Sequence, residues 1–112
     1  MPFINDYRKE TNMNEQEYIF LQEVIARESK AKKLCKNVHG RFQAMAESQG
    51  AIEAASKLVK NNQLSDGLIR LWENNCLDLS LEQTVLDYPD LFSTDVLKAA
   101  KDKLNKLNPP KN

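Results

Sequence analysis

From residue 14 onward the apolar positions keep a helical rhythm: Tyr18, Leu21, Val24 and Ile25, Ala31, Leu34 and Cys35, Val38, Phe42 and Met45. The three- and four-residue steps through 31, 35, 38, 42 and 45 hold one helix face apolar. Asn14 is a suitable N-cap, since its side-chain oxygen can accept from first-turn amides, and Glu15 and Glu17 suit the positive end of the helix dipole. Residues 14–49 are therefore predicted to form one long helix or a helix pair. Gly40 costs a helix only about 1 kcal/mol relative to Ala, so it does not force a break by itself. Gly50 marks the better boundary, with Ser48 as the expected cap for the next helix.

Four shorter helices are predicted beyond it. In "GAIEAASKLVKNN", residues 50–62, Ile52, Ala55, Leu58 and Val59 share a face, and the small alanines allow a close neighbour. Ser65 or Asp66 caps a second helix with Leu68, Ile69, Leu71 and Trp72. Asn74 and Asn75 stop it, because Asn tolerates the left-handed conformation at a helix end. Leu77 and Leu79 then plug the core across a bend. Ser80 with Gln83 has the form of a capping box and opens a third helix, which ends at Tyr88 because a residue before proline disfavours the helical region. Ser93 or Thr94 opens the last helix, with Val96, Leu97, Ala100, Leu104 and Leu107 as its buried stripe, and Pro109-Pro110 closes it. Residues 1–13 lack periodicity and read as a loose arm, although Phe3, Ile4 and Tyr7 could dock on a core. Residues 108–112 read as a tail.

At 112 residues the chain is long enough for one domain with one core. Its scarcity of Gly and Pro and its many Ala, Leu, Lys, Glu and Gln favour an all-α fold, a long N-terminal helix or helix pair packed on a compact set of short C-terminal helices (50–107). No apolar run reaches the roughly 18 residues that span a bilayer, and "MPFINDYRKETN" lacks the apolar stretch of a signal peptide, so a soluble, cytoplasmic protein is expected.

The zero net charge hides a pattern. Residues 1–26 carry a net −3, residues 27–60 a net +5, residues 61–97 a net −6 and residues 98–112 a net +4. Alternating blocks suit complementary helices or antiparallel self-association better than dedicated nucleic-acid binding.

Candidate chemistry is sparse. His39 is the only histidine and has basic neighbours rather than an orienting carboxylate, so it reads as a surface residue. Cys35 and Cys76 lie far apart in sequence without a CxxC, which reads as two ordinary reduced thiols. Asp87, Asp90 and Asp95 lack the alternation and glycine of a calcium loop, and Asp78 with Glu82 suits a helix start. No catalytic residue, metal site or cofactor is expected. Trp72, beside Leu68, Ile69 and Leu71, reads as a packed core anchor, with an exposed partner anchor as the functional alternative. The basic run around "RESKAKKLCKNVHGR" splits into two flanks astride the apolar stripe: Lys32, Lys36 and His39 on one, Arg27, Lys30 and Lys33 on the other.

The segment "GRFQAMAESQGAIEAASKL", followed by "SDGLIRLWENNCLDLSLEQTVLDYPDLFSTDVLKAAKDKL", resembles a helical segment that recurs at the C-terminal end of many bacterial proteins. The matching features are Gly-Ala-x-Glu-Ala-Ala, the Ser65 and Gly67 before Leu-Trp-Glu, the Leu-Asp-Leu-Ser turn and Leu-Phe-Ser-Thr-Asp. Leu68 stands where that segment has an aromatic residue and Cys76 where it has a basic one. The resemblance covers residues 40–104 and implies an accessory module of bacterial source, with no assigned activity.

The expected function is a non-enzymatic protein–protein interaction module, self-associating through a seam of Leu21, Ile25, Leu34, Val38, Phe42 and Met45. The stripe over 18–45 is longer than one short partner helix covers, and charge blocks would set pairing direction. The alternative is a small nucleic-acid-associated regulator using the basic flanks.

Overall fold

The computed structural model describes residues 14–35, 41–61 and 63–107. All regular structure among them is helical: α1 (Glu15–Leu34), α2 (Phe42–Gln49), α3 (Ala51–Lys60), α4 (Asp66–Glu73), α5 (Leu81–Asp87) and α6 (Thr94–Leu107), with short 3₁₀ turns at Leu77–Leu79 and Pro89–Leu91. The expected architecture is present, a long first helix packed on shorter ones. The arm 1–13, the tail 108–112, and the candidate residues Val38, Lys36 and His39 lie outside the described residues.

The region 14–49 is a helix pair. Asn14 Oδ1 accepts from the Glu17 amide at 2.8 Å and starts α1. Cys35 ends it by leaving the helical region for extended backbone (φ −128°, ψ 122°) while its N–H still reaches Ala31 O. Between α2 and α3, Gly50 has φ +90°, a region that disfavours side chains, and a Cβ there would lie 3.1 Å from Glu17 Oε2. The expected Ser48 cap does not form: Ser48 Oγ donates to Met45 O inside α2. The α3 N-terminus is instead capped from α1, where Glu17 Oε2 accepts from the Ile52 amide at 2.8 Å. One carboxylate thereby satisfies an orphan donor, complements the dipole and ties the two helices together.

The later boundaries follow local chemistry. Ser65 Oγ accepts from the Leu68 amide and starts α4. Asn75 adopts φ 59°, the left-handed stop, and the Cys76 N–H returns to Leu71 O at 2.7 Å. Ser80 Oγ accepts from the Gln83 amide, but the Gln83 side chain turns to Asp87, so only half of the capping box forms.

The apolar side chains form two clusters. The larger gathers Phe20, Leu21 and Val24 of α1 with residues of α2, α3, α5 and α6. Phe20 is its centre, meeting Phe42, Tyr88 and Phe92 edge-to-face at centroid distances of 6.2, 5.6 and 5.1 Å. The smaller joins Ala31 and Cys35 at the end of α1 to Leu71, Cys76 and Leu79.

Candidate functional site

A cavity of about 250 Å³ lies where the two clusters meet. Val24 and Phe42 line it from the larger cluster, Ala31, Leu71 and Leu79 from the smaller, the connection from α3 to α4 supplies Leu64 and Ser65, and the first turn of α4 supplies Gly67. The walls combine aliphatic side chains with the neutral polar Asn61, Gln63, Ser65 and Ser80 and a few charged groups.

One of these is a buried ion pair. Lys103 Nζ donates to Leu58 O at 3.0 Å and faces Glu82 Oε2 at 3.4 Å, with both side chains almost wholly buried. Burying two charges is tolerable when each neutralises the other and spare hydrogens find acceptors, and the Leu58 carbonyl supplies that acceptor. Glu28 is different. Its Oε1 is buried without a hydrogen-bond partner, and burial pushes its carboxyl pKa up against the opposing pull of Lys32. Arg41, exposed at the start of α2, completes the charged lining.

The end of the molecule beside this cavity is also distinctive. Leu34 is 59% exposed and Trp72 43% exposed. Each is the sequence neighbour of a small-cluster member, Cys35 and Leu71, so the roughly 3.8 Å between consecutive Cα atoms keeps both at the same end. The reading of Trp72 as a packed anchor is thereby corrected: Leu68 and Leu71 take the buried face of the short helix, and Trp72 falls at its margin.

The proposed seam does not stand open. Leu21 and Phe42 are buried in the larger cluster, and Ile25 and Met45 pack against it. A side chain enclosed by its own chain cannot line a contact between copies unless the fold opens. Of the seam residues described, only Leu34 is exposed.

The basic flanks are thinned as well. Arg27 is held by its own chain: Nε donates to Glu23 at 2.7 Å, Nη2 meets Asp87 at 2.8 Å, and Nη1 donates to Thr84 Oγ1 at 3.2 Å. It therefore joins α1 to α5 and does not present a free cation. Lys30, Lys32 and Lys33 are exposed.

Asp95, on the surface, is held at a pKa of about 2 by the Ser93 hydroxyl and by Lys60, whose Nζ lies 3.1 Å away. Cys35 and Cys76 are free thiols buried together, and burial, then the Cys35 neighbour, raises the Cys76 pKa. Among the described residues, no three His, Cys, Asp or Glu side chains converge as a metal site would require. Nor, among them, is any helix long and apolar enough to cross a membrane.

The Glu82–Lys103 pair and the Glu28 position were not singled out by sequence. Lys103 does carry a signal, falling three residues after Ala100 and seven after Val96, on the buried stripe of α6. No family model, curated protein or solved structure matches the chain.

Proposed function

We propose that the chain is a non-enzymatic, cytoplasmic helical module that binds another protein through the end bearing Leu34 and Trp72. The exposure of Trp72 carries this reading. A large aromatic side chain left 43% exposed, with Leu34 exposed as well and each following or preceding a member of the same small cluster, is the composition of a binding hot spot. Exposed Lys30 and Lys33 on α1 and Arg70 and Glu73 on α4 supply the polar surroundings such a patch has at its rim. A partner presenting an apolar helix face fits better than a second copy paired along residues 18–45, because Leu21, Ile25, Phe42 and Met45 of that stripe are packed inside the chain.

The test compares wild-type protein with Trp72→Ala and Leu34→Asp variants whose urea-unfolding midpoints match it. Tagged protein captures material from native cell extract, and sedimentation equilibrium follows the mass. The expected result is a monomeric chain that recovers a defined protein, lost with either variant. A mass doubling abolished by Trp72→Ala would make the partner a second copy. Recovery of nucleic acid, lost with Lys32→Ala and untouched by Trp72→Ala, would favour the basic flank instead.

A further inference from the structure

Cys35 and Cys76 lie far apart in the chain, and the fold brings them to one place. Cys35 ends α1, and Cys76 follows the left-handed Asn75 that stops α4. Both thiols are free and buried, and both belong to the smaller cluster with Ala31, Leu71 and Leu79. Cys35 is a hydrogen-bonding neighbour of the Cys76 thiol, and Cys76 Sγ also donates to the Asn74 carbonyl at 3.2 Å. A disulfide draws its two sulfurs to about 2.05 Å, and a pair already in contact starts close to that separation. Neither residue sits inside a regular helix. Cys35 has left α1 for extended backbone and Cys76 stands in the bend after α4, so both can adjust as the bond closes.

We propose that Cys35 and Cys76 are a redox modification site, forming a reversible disulfide by exchange with a small-molecule disulfide of the glutathione class, and that this bond staples the end of α4 to the end of α1. Cys76, 8% exposed against 2% for Cys35, is the sulfur that an incoming disulfide reaches first. Its thiolate attacks one sulfur of the oxidant, forming a mixed disulfide and expelling one small thiolate. The Cys35 thiolate then attacks the Cys76 sulfur and expels the second. The protein gives up two electrons, and its two thiol protons end on the two small thiols released. Burial, then the Cys35 neighbour, raises the Cys76 pKa, so its thiolate is scarce while the cluster is closed and exchange proceeds through openings of α4. Once formed, the bond suppresses those openings, because the released segment stays tethered to α1. The proposal is independent of what the end bearing Leu34 and Trp72 binds.

The full-length wild-type chain is equilibrated with reduced and oxidised glutathione at set ratios, once under native conditions and once in urea, quenched with acid and mapped by mass spectrometry. Under native conditions the expected product is a chain lighter by two hydrogens, with Cys35 linked to Cys76 and no glutathione retained, and dithiothreitol restores the starting mass. The equilibrium constant for forming it should be at least about tenfold larger than in urea, since a bond that stabilises the fold is favoured by the fold to the same degree. Hydrogen exchange at the amides of Leu71, Trp72 and Leu79 should be at least about tenfold slower in the oxidised chain than in the reduced one. Persistent mixed disulfides, disulfide-linked dimers, an equilibrium constant no larger than in urea, or unchanged exchange at those amides would each overturn the proposal.

Discussion

Helix α1 serves two hydrophobic clusters that differ in kind. Its first half places Phe20, Leu21 and Val24 among residues of four other helices, where three aromatic rings close on Phe20 and Val59 and Val85 are fully buried. Its last turns contribute only Ala31 and Cys35 to a cluster completed by Leu71, Cys76 and Leu79. The first cluster is built from large, interlocking side chains, and the second from small and soft ones. Hydrophobic stabilisation follows the area removed from water, so the first should carry most of the stability of the fold. The second holds α4 in place, leaves Leu34 and Trp72 facing outward, and meets the first imperfectly at the cavity. Unequal burial along one helix thus separates the part that keeps the chain folded from the part suited to contact.

This contrast can be tested by removing one residue at a time. Phe20→Ala should destabilise most, by about 4 kcal/mol, since it removes three ring contacts and leaves a void that the close packing cannot refill. Urea unfolding followed by circular dichroism measures this. A loss under about 1 kcal/mol would show that the larger cluster is not the seat of stability. Next comes Lys103→Ala, expected to cost about 3 kcal/mol by leaving Glu82 buried and unpaired. The double variant Lys103→Leu with Glu82→Leu should recover most of that loss, and failure to recover any would mean the pair matters through something other than compensated charge. Leu71→Ala, in the smaller cluster, should cost about 2 kcal/mol, because its surroundings can partly collapse. A value equal to that of Phe20→Ala would erase the difference between the clusters.

Glu28→Gln should have the smallest effect, and its sign depends on pH. The folded chain holds the Glu28 carboxyl pKa above its ordinary value. Its favourable contribution is therefore present below the ordinary carboxylate range and is lost as pH rises through the raised folded value. The Gln variant should be slightly more stable than wild type at neutral pH and indistinguishable from it near about pH 3. Thermal melts across that range test it, and a variant less stable at neutral pH would show that the carboxylate has a favourable partner in the fold.

Most helix boundaries were legible in the sequence where the deciding residue lies nearby, although Ser48 does not cap and only half of the Ser80–Gln83 box forms. Asn14, Ser65 and Ser80 cap the helices they were expected to cap, Gly50 and Asn75 sit at positive φ, and Pro89 follows the end of α5. What escaped is non-local. Periodicity over 18–45 identifies an apolar face without saying what covers it, and at Leu21 and Val24 the cover is α2, α3, α5 and α6 of the same chain. The cap on α3 comes from Glu17, thirty-five residues before Ile52, and no local pattern announces it. Trp72 has apolar neighbours in sequence, yet in an eight-residue helix the buried stripe is narrow enough to pass it by. The cavity needs several segments to be drawn together, so Glu28 shows nothing unusual until the fold encloses it.

Native-state hydrogen exchange tests the division between the two clusters most directly, because it reads the free energy of opening residue by residue. The amides of Leu21, Val24, Val59, Val85 and Ala100 should exchange only through global unfolding, with opening free energies equal to that from urea denaturation. Those of Leu71, Trp72, Cys76 and Leu79 should exchange through a smaller opening, at least about 2 kcal/mol easier, that releases α4 while the larger cluster stays intact. Equal protection in both sets would mean that the chain has one cooperative core, and that the end bearing Leu34 and Trp72 is not set apart from it.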